Sequence, residues 1–252
     1  MCLKYLKTVY NYREDKRMNE YFLKEIKQLF PDEYRQFTDS FSREMYKSIR
    51  INRLKCSVEE LQAEGFVLDE KTPFDPDSFY VSTEEKLGNH PFHNAGCYYL
   101  QEPSAAAVVN ALDIQPGEKV ADLCAAPGGK TTHCAEWLKG TGMVYSRDLT
   151  EYKISLIEEN VERLELSNVT AQVQDALELC KEDIGKADIV LADLPCSGLG
   201  VIGKKADIKY KTKPEDVESL GRLQRDILSV VSQYVKPGGV LIYSTCTVNR
   251  VE

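Results

Sequence analysis

The chain has 252 residues and a formal net charge of −8, because 40 acidic side chains outnumber 32 basic ones. Its length predicts one large domain or two modest ones, and its 42% hydrophobic content excludes a disordered chain. No stretch approaches the roughly 18 apolar residues of a membrane span, and the N-terminus lacks the apolar run of a signal peptide. These properties predict a cytoplasmic protein, and the acidic balance alone argues against generic nucleic-acid binding.

The N-terminal third predicts a small α+β region. Its predicted elements are helices over 19–30 and near 32–48, a strand over Ile49–Leu54, and a short helix capped by Ser57. Residues 66–95 predict loops and short strands, with a domain junction near 85–95.

From about residue 103 the predicted strands and helices alternate. The predicted strands are 119–124, 143–147, 169–173, 189–192 and 239–244. The predicted helices are 104–112, 130–138, 150–164 and 214–235. This alternation predicts the α/β class, with a parallel sheet covered by helices on both faces. Ligands of such sheets bind beyond the carboxyl ends of the strands.

The first of these strands ends in a loop of small residues, Asp122-Leu123-Cys124-Ala125-Ala126-Pro127-Gly128-Gly129-Lys130. Small residues let the backbone approach a ligand closely. The loop matches neither the dinucleotide fingerprint nor the P-loop, which counts against NAD and ATP. Asp148 follows the second strand and Asp175 the third. One such acid alone is more often a helix cap, but acids after three successive strands favour a nucleoside ligand.

Two of the eight cysteines, Cys196 and Cys246, follow the fourth and fifth strands. Strands one, four and five are neighbours in this sheet class, so both thiols are expected to open on one cleft. A cysteine is a good nucleophile when its thiolate is favoured, although the plain alternative is a small buried hydrophobe. No histidine lies near either cysteine in sequence. A Cys-His hydrolase is therefore an alternative that the sequence neither supports nor excludes.

Four motifs, DLCAAPGGKTTH, VQDA, ADLPCSGLG and YSTCT, occur in this order. Together they resemble the motifs of the Sun/Fmu-type (NOL/NOP/Sun) RNA (cytosine-5) methyltransferases, nearest to the bacterial 16S rRNA enzymes. The resemblance implies a Rossmann-like class I methyltransferase domain over residues 91–252. It also implies a small RNA-contacting α+β module over residues 1–90.

The resemblance implies S-adenosylmethionine as the methyl donor and no metal. Asp148 would hold the ribose hydroxyls, Asp175 the adenine side, and Asp193 would lie between cofactor and base. The cofactor-binding residues that it implies are Cys124, Ala125, Ala126, Pro127, Gly128, Gly129, Lys130, Asp148, Asp175 and Asp193.

The resemblance also implies cysteine catalysis. Cys246 would add to C6 of the target cytosine, Asp193 would hydrogen-bond the base, and Cys196 would act in product release. The alternative stays open that Cys196 is the nucleophile, as the Pro-Cys motif is in DNA cytosine-5 methyltransferases.

The RNA substrate is expected to be ribosomal, with tRNA as an alternative, and the oligomeric state stays open. Basic residues in two stretches are candidate RNA contacts, although a solvated face is the plain explanation of each. They are Arg50, Arg53, Lys204, Lys205 and Lys209. Family members continue beyond the TC motif, so the chain is expected to be truncated at its C-terminus. A catalytically impaired RNA- or cofactor-binding fragment is therefore the alternative function. A small-molecule methyltransferase is a third hypothesis.

Overall fold

The computed structural model describes residues 20–40, 46–82, 84, 86–201 and 213–252, which pack in two compact units. The terminal unit combines described residues from 1–43, 196–222 and 245–252. The sheet unit combines those from 44–195 and 223–244.

The helices of the described residues are, in chain order, α1 (Glu20–Leu29), α2 (Tyr34–Ser40), α3 (Val58–Ala63), α4 (Pro91–Asn94), α5 (Pro103–Asn110), α6 (Gly129–Leu138), α7 (Glu151–Arg163) and α8 (Pro214–Val231). The sequence determines several of their ends. The Ser57 side chain accepts a hydrogen bond from the Glu60 N–H, and the Glu60 carboxylate accepts one from the Ser57 N–H, forming a capping box at α3. At α7 the Thr150 side chain caps the helix by accepting a hydrogen bond from the Lys153 N–H.

The strands are β1 (Lys47–Ile51), β2 (Ser78–Val81), β3 (Tyr98–Gln101), β4 (Lys119–Asp122), β5 (Met143–Asp148), β6 (Val169–Val173), β7 (Ala187–Asp193) and β8 (Val235–Ser244). The first three form a small antiparallel sheet in the order β2-β1-β3. Its face towards α3 and α4 packs Ile49, Ile51 and Tyr98 into one apolar cluster. The division predicted at residue 90 stays a prediction, and this sheet takes β3 from beyond that residue.

The larger sheet has five parallel strands in the order β6-β5-β4-β7-β8. One face packs against α5 and α6 through Val109, Leu138 and neighbours, and the other against α8 through Ile227 and Val231. The predicted α/β sheet with helices on both faces is confirmed. So is the predicted neighbourhood of the first, fourth and fifth strands, which are β4, β7 and β8.

The clearest differences from the predicted elements concern the second helix, the first strand, the last helix and the last strand. The second helix is described over Tyr34–Ser40, and β1 begins at Lys47, inside the range predicted as helix. This strand ends at Ile51 because the Asn52 side chain accepts a hydrogen bond from the Leu54 N–H and starts a turn. The last helix ends at Val231 and a 3₁₀ turn follows, so that β8 starts four residues before the predicted strand.

The terminal unit has its own apolar core. Phe22 and Ile26 of α1 are fully buried against Leu199, with Phe37 and Val248 packed around them. The first described helix therefore shares a core with residues that follow β7 and β8. In the part of the chain that the structure describes, no helix combines the length and the apolarity that a bilayer crossing needs.

Gly96 and Gly65 provide a matched test of backbone strain against packing. Both have positive φ, +72° and +92°. A Cβ at Gly96 would lie 2.0 Å from the Arg163 carbonyl oxygen, whereas no atom of the described residues lies within 4 Å of one at Gly65. We expect Gly65→Ala to lower the free energy of unfolding by about 1–2 kcal/mol. Gly96→Ala should lower it by at least about 3 kcal/mol. Urea denaturation measures both, and equal losses would contradict the packing argument.

Candidate functional site

The loop between β4 and α6 follows from its small residues. Gly128, just before α6, has a φ of +99°, and a Cβ there would lie 3.3 Å from the Ile157 backbone on α7. The Gly128 N–H donates to the Ala125 carbonyl at 2.7 Å, which closes the turn. Glycine is therefore required here by both the backbone conformation and the close approach of α7.

Asp148, at the end of β5, stabilises this loop by hydrogen bonding. It is buried, and its Oδ2 accepts a hydrogen bond from the Ala126 N–H at 2.9 Å. Its Oδ1 accepts from the Leu149 N–H and from Lys153 Nζ, both at 2.7 Å. A ribose hydroxyl would have to share or replace one of these partners. Asp175 after β6 is half-buried and accepts from the Leu177 N–H at 2.9 Å.

Asp193 at the end of β7 joins three elements. Its Oδ2 accepts from Lys130 Nζ of α6 at 2.7 Å, and its Oδ1 accepts from the Ser244 hydroxyl of β8 at 2.7 Å. Ser244 is its partner in the parallel register of β7 and β8. The pair of Asp193 and Lys130 therefore offers a hydrogen-bond acceptor and a donor side by side.

A cavity of about 220 Å³ opens beside this ion pair. The predicted cofactor residues that line it are Cys124, Ala125, Ala126, Pro127, Gly129, Lys130 and Asp193. Gly128, Asp148 and Asp175 do not line it. Asp148 stabilises the loop by accepting a hydrogen bond from the Ala126 N–H, and Gly128 closes the turn of the loop. Asp175 follows β6, the strand that lies beyond β5 in the sheet.

Sequence reasoning missed four polar residues of the cavity wall, Tyr99, Gln101, Glu102 and Asp122. Asp122 is fully buried, and burial raises the pKa of its carboxyl to about 7. Its Oδ2 accepts from the Thr131 hydroxyl at 2.7 Å, while its Oδ1 has no partner among the described residues. The available signal was its place as the first acid of the loop motif. Tyr99 belongs to β3 of the small sheet, outside the strands of the parallel sheet.

Cys124 also lines the cavity, and burial followed by the charge of Asp148 raises the pKa of its thiol to about 12. A thiol that stays protonated at neutral pH is a poor nucleophile. This side chain is therefore suited to packing in the cavity wall.

Cys196 and Cys246 lie together within the terminal unit, their Sγ atoms 3.1 Å apart. The Cys246 N–H donates to the Cys196 Sγ at 3.3 Å. The hydroxyls of Ser197 and Thr247 are 2.7 Å apart, so the segments after β7 and β8 are bonded side by side. The hydrogen bond with Cys246, and then burial, raise the pKa of the Cys196 thiol. Cys196 therefore keeps its proton and can donate it towards the exposed Cys246 sulfur.

The candidate RNA contacts have different placements. Arg50 is 1% exposed and forms an ion pair with Glu136 at 2.8 Å, so the RNA contact predicted there is corrected to an internal ion pair. Arg53 is exposed, and its Nε lies 3.5 Å from Asp77 Oδ1. Lys204, Lys205 and Lys209 lie outside the described residues. Within the described residues, no group of three or more His, Cys, Asp or Glu could hold a metal ion.

Comparison with known proteins gives consistent matches along the chain. The family model described as 16S rRNA methyltransferase RsmB/F matches residues 109–252. The model of the N-terminal domain of 16S rRNA methyltransferase RsmF matches residues 18–103. A solved structure of a methyltransferase homolog from Pyrococcus horikoshii is 29% identical with a TM-score of 0.79, over 90% of this chain and 72% of that one.

Two curated relatives show the same family. The chain is 39% identical over 211 residues to a probable ribosomal RNA small subunit methyltransferase B of Bacillus subtilis, covering 82% of this chain and 47% of the relative. It is 34% identical over 243 residues to ribosomal RNA small subunit methyltransferase F of Aliivibrio salmonicida, covering 92% and 51%. The chain thus spans about half the length of the curated relatives it matches.

These matches confirm the resemblance stated from the motifs and the Rossmann-like methyltransferase fold. They also indicate S-adenosylmethionine as the methyl donor, as predicted. With the RsmB/F model covering more than half of its residues, the chain belongs to the RsmB/F family of 16S rRNA methyltransferases.

Proposed function

We propose that this chain transfers a methyl group from S-adenosylmethionine to C5 of a cytosine in small-subunit ribosomal RNA. The observation that carries the proposal is the pair of thiols, Cys196 and Cys246, with Sγ atoms 3.1 Å apart. They follow two neighbouring strands of a sheet that carries a loop of methyltransferase type. A small-molecule methyltransferase would have no use for a thiol pair of this kind.

Cysteine is needed because C5 of cytosine is a weak nucleophile. The thiolate of Cys246 adds to C6 and gives C5 the character of an enamine carbon. When bound, S-adenosylmethionine supplies an electrophilic sulfonium methyl group. After transfer a base removes the C5 proton, the bond between Sγ and C6 breaks, and its electron pair returns to sulfur as the C5–C6 double bond re-forms.

The two thiols have different proposed roles because their surroundings differ. Cys246 is exposed, so its thiol is accessible to the target cytosine. Cys196 is half-buried with a raised pKa, so it stays protonated and stabilises the Cys246 thiolate by donating a hydrogen bond. The same proton is available when the product leaves. The reverse assignment, with Cys196 as nucleophile, would use the less exposed of the two thiols.

Asp193 and Lys130 are proposed to recognise the base. The Asp193 carboxylate can accept a hydrogen bond from the exocyclic amine of cytosine, and Lys130 can donate to a ring or carbonyl acceptor. Cys196 is three positions after Asp193, and Cys246 is two positions after its register partner Ser244. The target must be unstacked to enter such a site, so an unpaired cytosine is expected.

The cofactor is proposed to occupy the cavity beside the glycine loop. Its ribose hydroxyls would replace Lys153 as hydrogen-bond partners of Asp148. Its adenine would lie on the side of Asp175. The buried Oδ1 of Asp122, which has no partner among the described residues, adds an acceptor for a cationic or hydroxyl group. The module over residues 1–90, Arg53, and Lys204, Lys205 and Lys209 remain proposed RNA contacts. A ribosomal RNA substrate would place the protein in the cytoplasm.

Substitution of Asp148 tests the cofactor site. Asp148→Asn removes the charge of the β5 carboxylate that accepts a hydrogen bond from the Ala126 N–H of the loop, and we expect the dissociation constant for S-adenosylmethionine to rise about 10- to 100-fold. Asp188→Asn is the matched control. Asp188 also accepts from a backbone N–H, that of Lys119 at 2.7 Å, and from the Lys236 ammonium, but at the opposite end of the strands. Calorimetric titration measures both, and equal weakening would contradict the site.

Substitution of the two cysteines tests the chemistry. The variants are incubated with small-subunit ribosomal RNA transcripts and S-adenosylmethionine, and the nucleosides are identified by mass spectrometry. We expect Cys246→Ala to lose at least about 10³-fold in the rate of 5-methylcytidine formation. Cys196→Ala should accumulate a covalent RNA adduct on denaturing gels, because release is impaired.

Cys180→Ala is the control, since Cys180 lies in the sheet unit outside the thiol pair. An adduct formed by Cys246→Ala would reverse the two roles. Methylation at another cytosine atom would exclude C5 transfer. A chain that binds S-adenosylmethionine but transfers no methyl group would favour the fragment alternative.

A further inference from the structure

Arg50 is a buried cation whose hydrogen bonds lead to the glycine loop. Its Nε and Nη2 donate to the Glu136 carboxylate on α6 at 3.1 and 2.8 Å. Its Nη1 donates to the Gln101 side chain and to the Gly129 carbonyl, the latter at 3.1 Å. Its Nη2 also donates to the Thr132 hydroxyl at 3.1 Å. All five N–H groups of the guanidinium are thereby satisfied.

Tyr99 completes the link between this cation and the cavity. The Arg50 guanidinium lies 5.2 Å from the centre of its ring, and Arg163 lies 5.7 Å from it. A Cβ at Gly129 would be 3.1 Å from the ring, so the tyrosine rests directly on the first residue of α6. Tyr99, Gly129 and the next residue, Lys130, all line the cavity. Arg50 itself does not.

Stability alone does not explain a buried ion pair of this kind. Removing two charges from water costs about as much as their attraction returns, and well-packed apolar side chains are often as stable. A guanidinium gives something that an apolar side chain lacks, namely several donors in a rigid planar fork. Here the fork joins β1 of the small sheet to two residues in the first turn of α6, beside the loop.

We propose that Arg50 is a positioning residue for the cofactor site. It holds the Gly129 carbonyl and the Tyr99 ring in place, so that the loop backbone and Lys130 meet the cofactor without rearrangement. Arg50 acts through these residues and touches no substrate. The inference rests on the proposed function in that the cavity is taken to bind S-adenosylmethionine. It gives the small sheet a role in cofactor affinity that is separate from any RNA contact.

The test compares Arg50→Lys with Ile51→Ala in the full chain. A lysine keeps the charge but cannot span Glu136, Gly129 and Thr132 at once. Ile51 is the next residue of β1, and its side chain packs in the apolar cluster on the other face of the small sheet. Calorimetric titration gives the dissociation constant for S-adenosylmethionine, thermal unfolding gives the melting temperature, and hydrogen exchange reports on backbone amides 123–133.

We expect Arg50→Lys to raise the dissociation constant at least about tenfold and to increase exchange over residues 123–133. Ile51→Ala should lower the melting temperature at least as much, yet change the dissociation constant less than twofold. Unchanged affinity in Arg50→Lys, or equal weakening in Ile51→Ala, would overturn the inference. If Arg50→Lys does not fold, Glu136→Gln takes its place, with the same expected direction and the same overturning result.

The two levels of the argument can fail separately. If the unaltered chain does not bind S-adenosylmethionine, the proposed cofactor site fails. The exchange comparison then still decides the role of Arg50. Faster exchange over 123–133 in Arg50→Lys alone supports positioning of the loop, and no difference between the two variants overturns it.

Discussion

Parallel pairing of β4 with β7 and of β7 with β8 is the constraint on which the candidate site of this protein depends. It brings the carboxyl ends of these strands to one edge, where the Asp193 carboxylate meets Lys130 and its register partner Ser244. The pairing is possible because β7 is apolar along nearly its whole length and can be buried on both faces. The polar groups of the site therefore lie at the last residues of the strands and in the segments just after them.

Three aspartates lie at this edge of the sheet, and they differ in how far hydrogen bonds and ion pairs compensate their charges. Asp148 is buried but accepts hydrogen bonds from two N–H groups and from Lys153, and Asp193 is paired with Lys130. Asp122 lacks a partner for one oxygen within the described residues, and burial raises its pKa to about 7. A buried carboxyl without full compensation destabilises the fold, and such groups concentrate at functional sites. A polar ligand in the cavity can supply the missing compensation.

Arg50 shows how a local sequence pattern can misplace a charge. It lies among basic residues and resembles part of a surface patch, yet it is buried in β1. Its carboxylate partner, Glu136, is 86 positions away on α6, which no local pattern reveals. The same separation explains why Tyr99 was missed, since a side chain of the small sheet enters the cavity only when that sheet packs against α6. Burial of a cation depends on such distant partners, not on its neighbours in the chain.

The sequence by itself determined the alternation of strands and helices, the parallel sheet, the caps of α3 and α7 and the residues that follow each strand. These features depend on local periodicity and on short motifs, which a single sequence displays directly. The tertiary structure decided the rest: the 3.1 Å separation of the two thiols, the part of Asp122, Tyr99 and Glu102 in the cavity wall, and the internal position of Arg50. Each of these depends on contacts between residues far apart in the chain, and their geometry exists only once the sheets and helices have packed.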